Sequence, residues 1–314
     1  MLVTRRHFLA TTAAAATCFA SRSLFAQQEP QQPEMVLKAR AGAASAKITT
    51  QKLRGNISVV QGSGGNIAVL SGPQGKLLVD SGISSSQPHI QEALAAISAD
   101  PIQHLINTHW HYDHTDGNLW MHSAGATIIA HEKTRQRLAS PQKIELFHAT
   151  FPSEPAGALP TLIFTGQHTL QMNGNTLYLE HYDPAHTDTD ISVHFADADV
   201  LHTGDTWFNG VYPFIDYSTG GHIDGMIRAT KRTLATGTTS TIVIPGHGPV
   251  GDKQQVSESL EMLSAIRDKV ADLRKQGKSI DETIAAKPTV AFDEKWGKGF
   301  TTPEMFTRFV YQGV

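Results

Sequence analysis

From Ile57 onward the hydrophobic positions come in short runs between glycine-rich turns. Ile57–Val60, Asn66–Leu70 and Lys76–Asp80 stand in this way inside ISVVQGSGGNIAVLSGPQGKLLVDSG. Such brief apolar runs, broken by Gly, predict an antiparallel meander. The period then changes. In QPHIQEALAAIS the apolar residues Ile90, Leu94 and Ile97 recur at three- and four-residue intervals, which is helical, and IQHLINTH returns to strand. Further strands are predicted at Thr127–Ala130, Thr176–Tyr182, Ile191–Phe195, Val200–Thr203 and Thr241–Ile244. Helices are predicted at Asp116–Ser123, Glu132–Ala139, His222–Ala235 and Gln254–Lys275, the last with Val256, Leu260, Leu263, Ile266 and Val270 on one face. Strands and a helix, followed by strands and a helix again, predict two mixed sheets with helices outside. The loose similarity of the two halves hints at an internal duplication.

The ends of the chain carry a different pattern. TRRHFLA places Arg5 and Arg6 ahead of an apolar run from Phe8 to Ala20, and SLFA offers a small-residue cleavage site after Ala26. This reads as a twin-arginine signal peptide over residues 1–26, since the apolar run falls short of the roughly 20 residues that cross a bilayer. The expectation is therefore a periplasmic protein, delivered by the twin-arginine export machinery and free of the membrane after cleavage. Residues 27–47, rich in Gln, Pro and Ala without a period, are expected to form a flexible lead-in. The catalytic domain is then residues 48–314, with a C-terminal extension from about residue 287. In that extension Thr302 is expected to cap a short helix with Phe306 and Phe309 on one face. Whether this helix docks on the domain or on a second subunit is open, as is the oligomeric state.

Composition narrows the function. With 40% hydrophobic and 18% charged residues the chain is suited to a packed core. Residues 1–26 hold Arg5, Arg6 and Arg22 and no acidic residue, so the mature chain has 23 basic against 29 acidic residues, a net of −6. An acidic chain without a long basic run is a poor partner for nucleic acid. Cys18 is the only cysteine and lies in the signal segment, so the mature protein has neither a disulfide nor a thiolate ligand.

Against that background NTHWHYDHTDGN, residues 107–118, is unusual, with His109, His111, Asp113 and His114 inside six positions just after a predicted strand. Crowded imidazoles repel once two are protonated, so folding alone gives little reason to gather them, whereas a bound cation does. On an extended backbone the alternate residues His109 and His111 point the same way and reach one ion. If the backbone turns helical there, Asp113 and His114 face a second point a few ångströms on. Two ions need more ligands than one loop supplies. Ionisable residues at later strand ends, beside Gly or Pro, supply them: His186 in DPAHTDTD, Asp205 in HTGDTW and His247 in PGHG.

An HxHxDH loop, a distant His, a Gly-Asp and a Pro-Gly-His-Gly in this order resemble the metallo-β-lactamase superfamily, over roughly residues 57–250. The resemblance implies an α/β fold, a four-layered αββα sandwich with the active site at one edge between the sheets. It implies one divalent ion held by His109, His111 and His186, a second held by Asp113, His114 and His247, and Asp205 bridging them. Asp80, at the end of LLVDSG, stands where the superfamily has an acidic residue supporting the metal-binding loop. The metals implied are two divalent ions, zinc first, with iron or manganese as alternatives because a bridging carboxylate is a harder ligand than a thiolate. Thiolate-using lactamases have Cys where this chain has Asp205, and Lys where it has Phe208; the Gly-Asp form resembles the glyoxalase II and lactonase branches.

The reaction implied is opening of a lactam, lactone or related ester carbonyl by metal-activated water, with Asp113 also positioned to pass a proton to the leaving group. β-Lactam hydrolysis is placed first and a lactonase, esterase or glyoxalase II-like thioesterase next. The reading from another class is a non-catalytic periplasmic metal-binding protein. The aromatic segment after Asp205 offers a pocket wall or ordinary core through Trp207, Phe208 and Tyr212, and His222 either lines the pocket or caps a helix. His202 is expected in the core.

Overall fold

The computed structural model describes residues 32–314. The signal peptide and its cleavage site lie outside the described residues. The first sheet begins with β1 (Thr49–Lys52), β2 (Ile57–Gln61), β3 (Ile67–Leu70) and β4 (Lys76–Val79), an antiparallel meander. β5 (Ile102–Ile106) and β6 (Thr127–His131) extend it in parallel. A small hairpin, β7 (Gln142–Ile144) with β8 (Ala149–Phe151), interrupts the chain before β9 (Leu162–Phe164) adds in parallel to β6. The second sheet runs β10 (Gln167–Met172), β11 (Asn175–His181), β12 (Ile191–Phe195), β13 (Val200–His202) and β14 (Ile242–Ile244), antiparallel except for the parallel pair β13–β14. Each sheet is thus a meander completed by parallel strands.

Alternation along the strands decides what each face packs against. Leu77 and Val79 on β4 turn to the second sheet, where they meet Leu177, Leu179, Val193 and Phe195. Leu78 between them points the other way, into a cluster with Ile90 and Leu94. Those two belong to α2 (Gln87–Ile97). β2, β3 and β4 are therefore apolar on both faces and read as continuous hydrophobic runs, as strands covered on both sides do. On the outer face of the second sheet Trp207 and Val243 pack on Val256.

One expectation about the ends is corrected. Part of the segment read as a flexible lead-in is a helix, α1 (Glu34–Ala43), with Val36 and Ala43 buried. Its attachment is tertiary. Arg40 donates through both guanidinium edges to the carboxylate of Asp116, and the backbone oxygens of Arg40 and Ala43 accept from Ser85 and Ser86. A ten-residue helix is marginal by itself, so its stability comes from docking that no local period announces.

The loop after β5 also differs from the predicted single helix at Asp116–Ser123. It contains a helical turn, α3 (Tyr112–Thr115), and then α4 (Asn118–Ser123), followed after β6 by α5 (Glu132–Leu138). The second half supplies α6 (Ile223–Ala235) and α7 (Lys253–Lys275), then α8 (Ile280–Ala285), α9 (Asp293–Trp296) and α10 (Pro303–Gln312). Thr302 caps α10 by accepting from the Met305 amide at 3.2 Å. Phe306 and Phe309 are buried in a cluster with Ile223, Met226, Met262 and Ile266, so the C-terminal helix docks on α6 and α7 of its own chain. Among the described residues no helix is long and apolar enough to cross a membrane.

The missed strands lack a readable apolar period. β1 reads TTQK and is exposed at every position, β7, β8 and β9 are three residues each, and β10, QHTLQM, buries only Met172. For α1, Arg40→Ala should destabilise the protein by about 1–3 kcal/mol, because it leaves the buried Asp116 carboxylate without its charged donor. The exposed Lys38→Ala should stay within about 0.5 kcal/mol. Denaturant titration of the two variants measures the difference, and equal midpoints would show α1 to be undocked.

Candidate metal centre

The parallel strands β4, β5, β13 and β14 carry the site at their carboxyl ends, where neighbouring loops converge on one crevice. β4 delivers Asp80, β5 the loop from Asn107 to His114, β13 Asp205 and β14 His247, while His186 comes from the turn between β11 and β12. The ligand-type atoms fall into two groups. His109, His111, His186 and Asp205 form one, and Asp113, His114 and His247 the other.

The distances show how tightly they are held. His186 Nε2 lies 2.8 Å from His111 Nδ1 and 3.4 Å from Asp205 Oδ2. His109 Nε2 is 3.8 Å from the same carboxylate oxygen. In the second group His247 Nε2 lies 3.1 Å from Asp113 Oδ2 and 3.3 Å from His114 Nε2. Asp205 reaches this group as well, with Oδ1 3.1 Å from His114 Nε2 and Oδ2 3.4 Å from His247 Nε2. Its carboxylate therefore stands between the two sets.

Ionisation follows from burial and from these carboxylates. Burial pushes His109 well below the ordinary imidazole range and brings His186 to about 4. Burial opposes charge on His114 and His247 too, but Asp205 and Asp113 outweigh it, raising His114 well above its ordinary value and His247 to about 10. The Asp113 carboxyl, which burial alone would raise, is held near 2 by His114 and His247. Protons on two imidazoles thus balance two carboxylates in the metal-free site. Because the folded pKa of His247 is raised, this pairing stabilises the metal-free protein fully below the ordinary pKa of 6.5 and is lost as pH rises through about 10.

The donor set fits divalent ions. His109 Nε2 is buried without a hydrogen-bond partner, and Asp205 Oδ1, though 3.1 Å from His114 Nε2, is not aligned for a hydrogen bond, a costly arrangement for a folded protein unless a cation completes it. The other ring nitrogens are occupied, which leaves the facing nitrogens free to ligate. His114 Nδ1 lies 2.7 Å from Asp80, His186 Nδ1 donates to the Phe214 carbonyl at 2.8 Å, and His111 Nε2 lies 3.1 Å from Asp216. Asp80 also accepts from the backbone and hydroxyl of Thr108 at 2.7 and 2.8 Å, fixing the loop that carries His109 and His111. It does so from a left-handed backbone, φ 67°, a conformation Asp tolerates better than most residues.

Two orienting residues escaped the sequence reading. Asp216 accepts from Thr219, which in turn accepts from the Trp110 indole, so one carboxylate ties His111 to its neighbouring loop. No local spacing marks it, since 105 positions separate it from His111. Asp190 accepts from the backbone amides of His186 and Thr187 at 2.8 and 2.9 Å. Its signal was local, in the Thr- and Asp-rich turn AHTDTD. Glycines admit the close approach. A Cβ at Gly65 would overlap the His114 ring, and one at Gly246 the Asp205 carboxylate.

A cavity of about 420 Å³ opens onto His111, Asp113, Asp205 and His247. Phe208 and Tyr212 line it, with the Phe208 ring stacked on His247 at 5.2 Å. Trp207 does not line it: the indole is buried against Val243 and Val256, because its side chain points to the opposite side of the strand end from Phe208. Nor does His222, whose Nδ1 accepts from the Asp224 amide and so caps α6. His202 is core, bonded to the Asn66 carbonyl at 3.0 Å.

The sequence model described as the Metallo-beta-lactamase superfamily matches residues 60–273, a stretch holding both ligand groups. The chain belongs to the metallo-beta-lactamase superfamily. A hydroxyacylglutathione hydrolase from Polaromonas sp. (strain JS666 / ATCC BAA-500) is 30% identical over 158 residues, 49% of this chain and 52% of that relative, so the likeness spans about half of either protein. Among solved structures, a metallo-beta-lactamase from Pontibacter korlensis superposes with a TM-score of 0.57 at 18% identity, over 69% of this chain and 99% of that one. The stereoselective inverting sec-alkylsulfatase Pisa1 from Pseudomonas sp. superposes with a TM-score of 0.64 at 14% identity, over 90% of this chain and 53% of that one. At such identities the superpositions show the fold. Membership in the superfamily implies divalent metal ions, for which the two His/Asp groups are the candidate site.

Two tests follow from the orienting carboxylates. Asp216→Asn and Asp80→Asn should each weaken one ion by about 10- to 100-fold, the first through His111 and the second through His114. Metal content after dialysis against a fixed concentration of chelator should fall from two ions per chain toward one in either variant, and toward none in the double variant. Unchanged stoichiometry would show these carboxylates to be merely structural. Loading of the metal-free protein should release about two protons in all near pH 8, both from the group of Asp113, His114 and His247, since His114 and His247 must give up theirs. Affinity should therefore fall as pH is lowered from 8 to 6, which titration calorimetry in buffers of different ionisation enthalpy would detect.

Proposed function

We propose that the protein is an exported, binuclear hydrolase of small neutral carboxylic esters and lactones, working in the periplasm with two zinc ions. The observation that carries the substrate class is the lining of the cavity. Trp110, Tyr112, Phe147, Phe151, Phe208 and Phe214 surround the space before the ligand groups, and among the described residues that line it none is Lys or Arg. A substrate anion lying along this wall loses hydration without gaining a side-chain cation, whereas an apolar ester gains by transfer from water.

Bound divalent ions supply Lewis-acid polarisation of a carbonyl and lower the pKa of water toward neutrality. The chain's own side chains do the rest. Asp113 faces the cavity with its carboxylate ionised at neutral pH, so it is placed to accept a proton at Oδ2 and hand it to a departing alkoxide. His247, 3.1 Å from Asp113, and Asp205 adjoin it beneath the Phe208 ring, which keeps bulk water from one side of the reacting carbonyl. Asp80, Asp190 and Asp216 touch no substrate and act by holding the imidazoles in place.

The same lining orders the alternatives. β-Lactam opening, first on the sequence alone, moves behind lactone and ester hydrolysis, because Phe208 offers no charge to a substrate carboxylate. A glutathione thioester, with two carboxylates, fits less well still. A binding protein without turnover would use Asp113 as a ligand but gives no role to an apolar cavity of about 420 Å³ opening on the ligand groups. The export and periplasmic parts of the proposal rest on the Arg5-Arg6 signal alone.

Purified protein carrying two zinc ions should turn over neutral aryl esters and lactones and lose that activity on chelation. No turnover of any ester, lactone or lactam at full metal occupancy would refute the proposal. Phe208→Lys should lower KM for carboxylate-bearing β-lactams by about tenfold or more and leave neutral lactones nearly unchanged, because a charge-assisted pair of that kind is worth about 1.5–3 kcal/mol. Equal effects on both classes would show that residue 208 does not face the carboxylate position.

A further inference from the structure

An aromatic line leads from the ligand groups to solvent. The Phe214 ring lies 5.9 Å from His111 and 5.8 Å from His186. Phe147 stacks on Phe214 at 5.4 Å, and Phe300 lies 6.0 Å from Phe147. These rings come from three separate segments: Phe214 from the loop after β13, Phe147 from the tip of the β7–β8 hairpin, and Phe300 from the loop before α10. Exposure grows outward along the line, from buried imidazoles through partly buried Phe214 and Phe147 to Phe300, which is 64% exposed.

A half-exposed phenylalanine at a cavity mouth gives the folded chain little stability, since most of its surface stays in water. Leu146, beside Phe147, is also exposed, at 41%. Met35 of α1 closes the cavity as well. Met35 and Phe300 both stand outside residues 60–273, so the outer wall is built in part by chain that flanks the superfamily match. The flanking segments are anchored elsewhere, α1 by Arg40 and α10 by Phe306 and Phe309, so the apolar mouth is not needed to hold them.

We infer that Phe147 and Phe300 determine specificity: they hold the alkyl or aryl chain of an ester or lactone whose carbonyl sits at the ligand groups. This rests on the hydrolytic reading above and adds to it the substrate's shape, a neutral carbonyl compound with a long apolar tail. The tail runs along Phe214 toward Phe147, and Phe300 covers its outer end. Short-chain esters occupy the inner chamber alone and do not touch Phe300.

Ketones test this without turnover, because they copy the ester carbonyl and carry no leaving group. Binding of 2-pentanone, 2-heptanone and 2-nonanone to the metal-loaded protein is measured by calorimetry. Affinity should rise by about fourfold per added methylene, the factor expected for burying each one. Phe300→Ala and Phe147→Ala should each weaken 2-nonanone by about fivefold or more and leave 2-pentanone within twofold. Phe300 is exposed enough for its replacement to leave the fold intact, which thermal denaturation verifies. Affinity independent of chain length, or equal losses for short and long ketones, would overturn the inference. Chain-length-dependent binding in a protein that hydrolyses no ester would leave the sleeve standing and overturn the proposed reaction instead.

Discussion

The Asp205 carboxylate lies within 4 Å of imidazole nitrogens from His109, His114, His186 and His247, side chains that come from both sheets and from both halves of the chain. Burying so many ionisable groups together costs several kcal/mol per unpaired charge, and no arrangement of hydrogen bonds among them satisfies every atom. His109 Nε2 is left without a partner, and Asp205 Oδ1 makes no aligned hydrogen bond to the nearby His114 Nε2. Divalent cations held by the two ligand groups would remove that conflict. The two sheets and their connecting loops are arranged around this cluster.

Holding the cluster is the task of a wider set of residues. Asp80, Asp190 and Asp216 each fix one imidazole or the turn that carries it, and each does so from a different loop. Such orientation limits the rotamers of the ligands before any ion arrives, so less entropy is lost on binding. The glycines at 65 and 246 work by lacking a side chain, since His114 and Asp205 fill the space a Cβ would take.

Chemistry and selectivity are divided along the chain. The ligand groups lie within residues 60–273, the span shared with the superfamily, and their loops spring from the ends of parallel strands. The cavity wall facing them draws on Met35, Gly299, Phe300 and Thr301, outside that span. An αββα core can therefore keep its reaction while its flanking helices change what reaches it. Here they supply apolar surface without a cation.

The sequence by itself determined most of the strands and helices of the core and singled out the seven ligand-type residues that the fold brings together. Both rest on local regularities: short continuous apolar runs and glycine breaks for β2 to β4, and the crowding of His109, His111, Asp113 and His114 beside a strand end. It could not show α1, whose helix is stabilised by Arg40 reaching Asp116, 76 positions away. Nor could it show Asp216, which meets His111 only because two loops converge at the same sheet edge. For Trp207 and Phe208, adjacent in sequence, only the tertiary structure decided which is core and which is cavity wall, since neighbouring side chains on extended backbone point to opposite sides and the packing of α7 takes one of them.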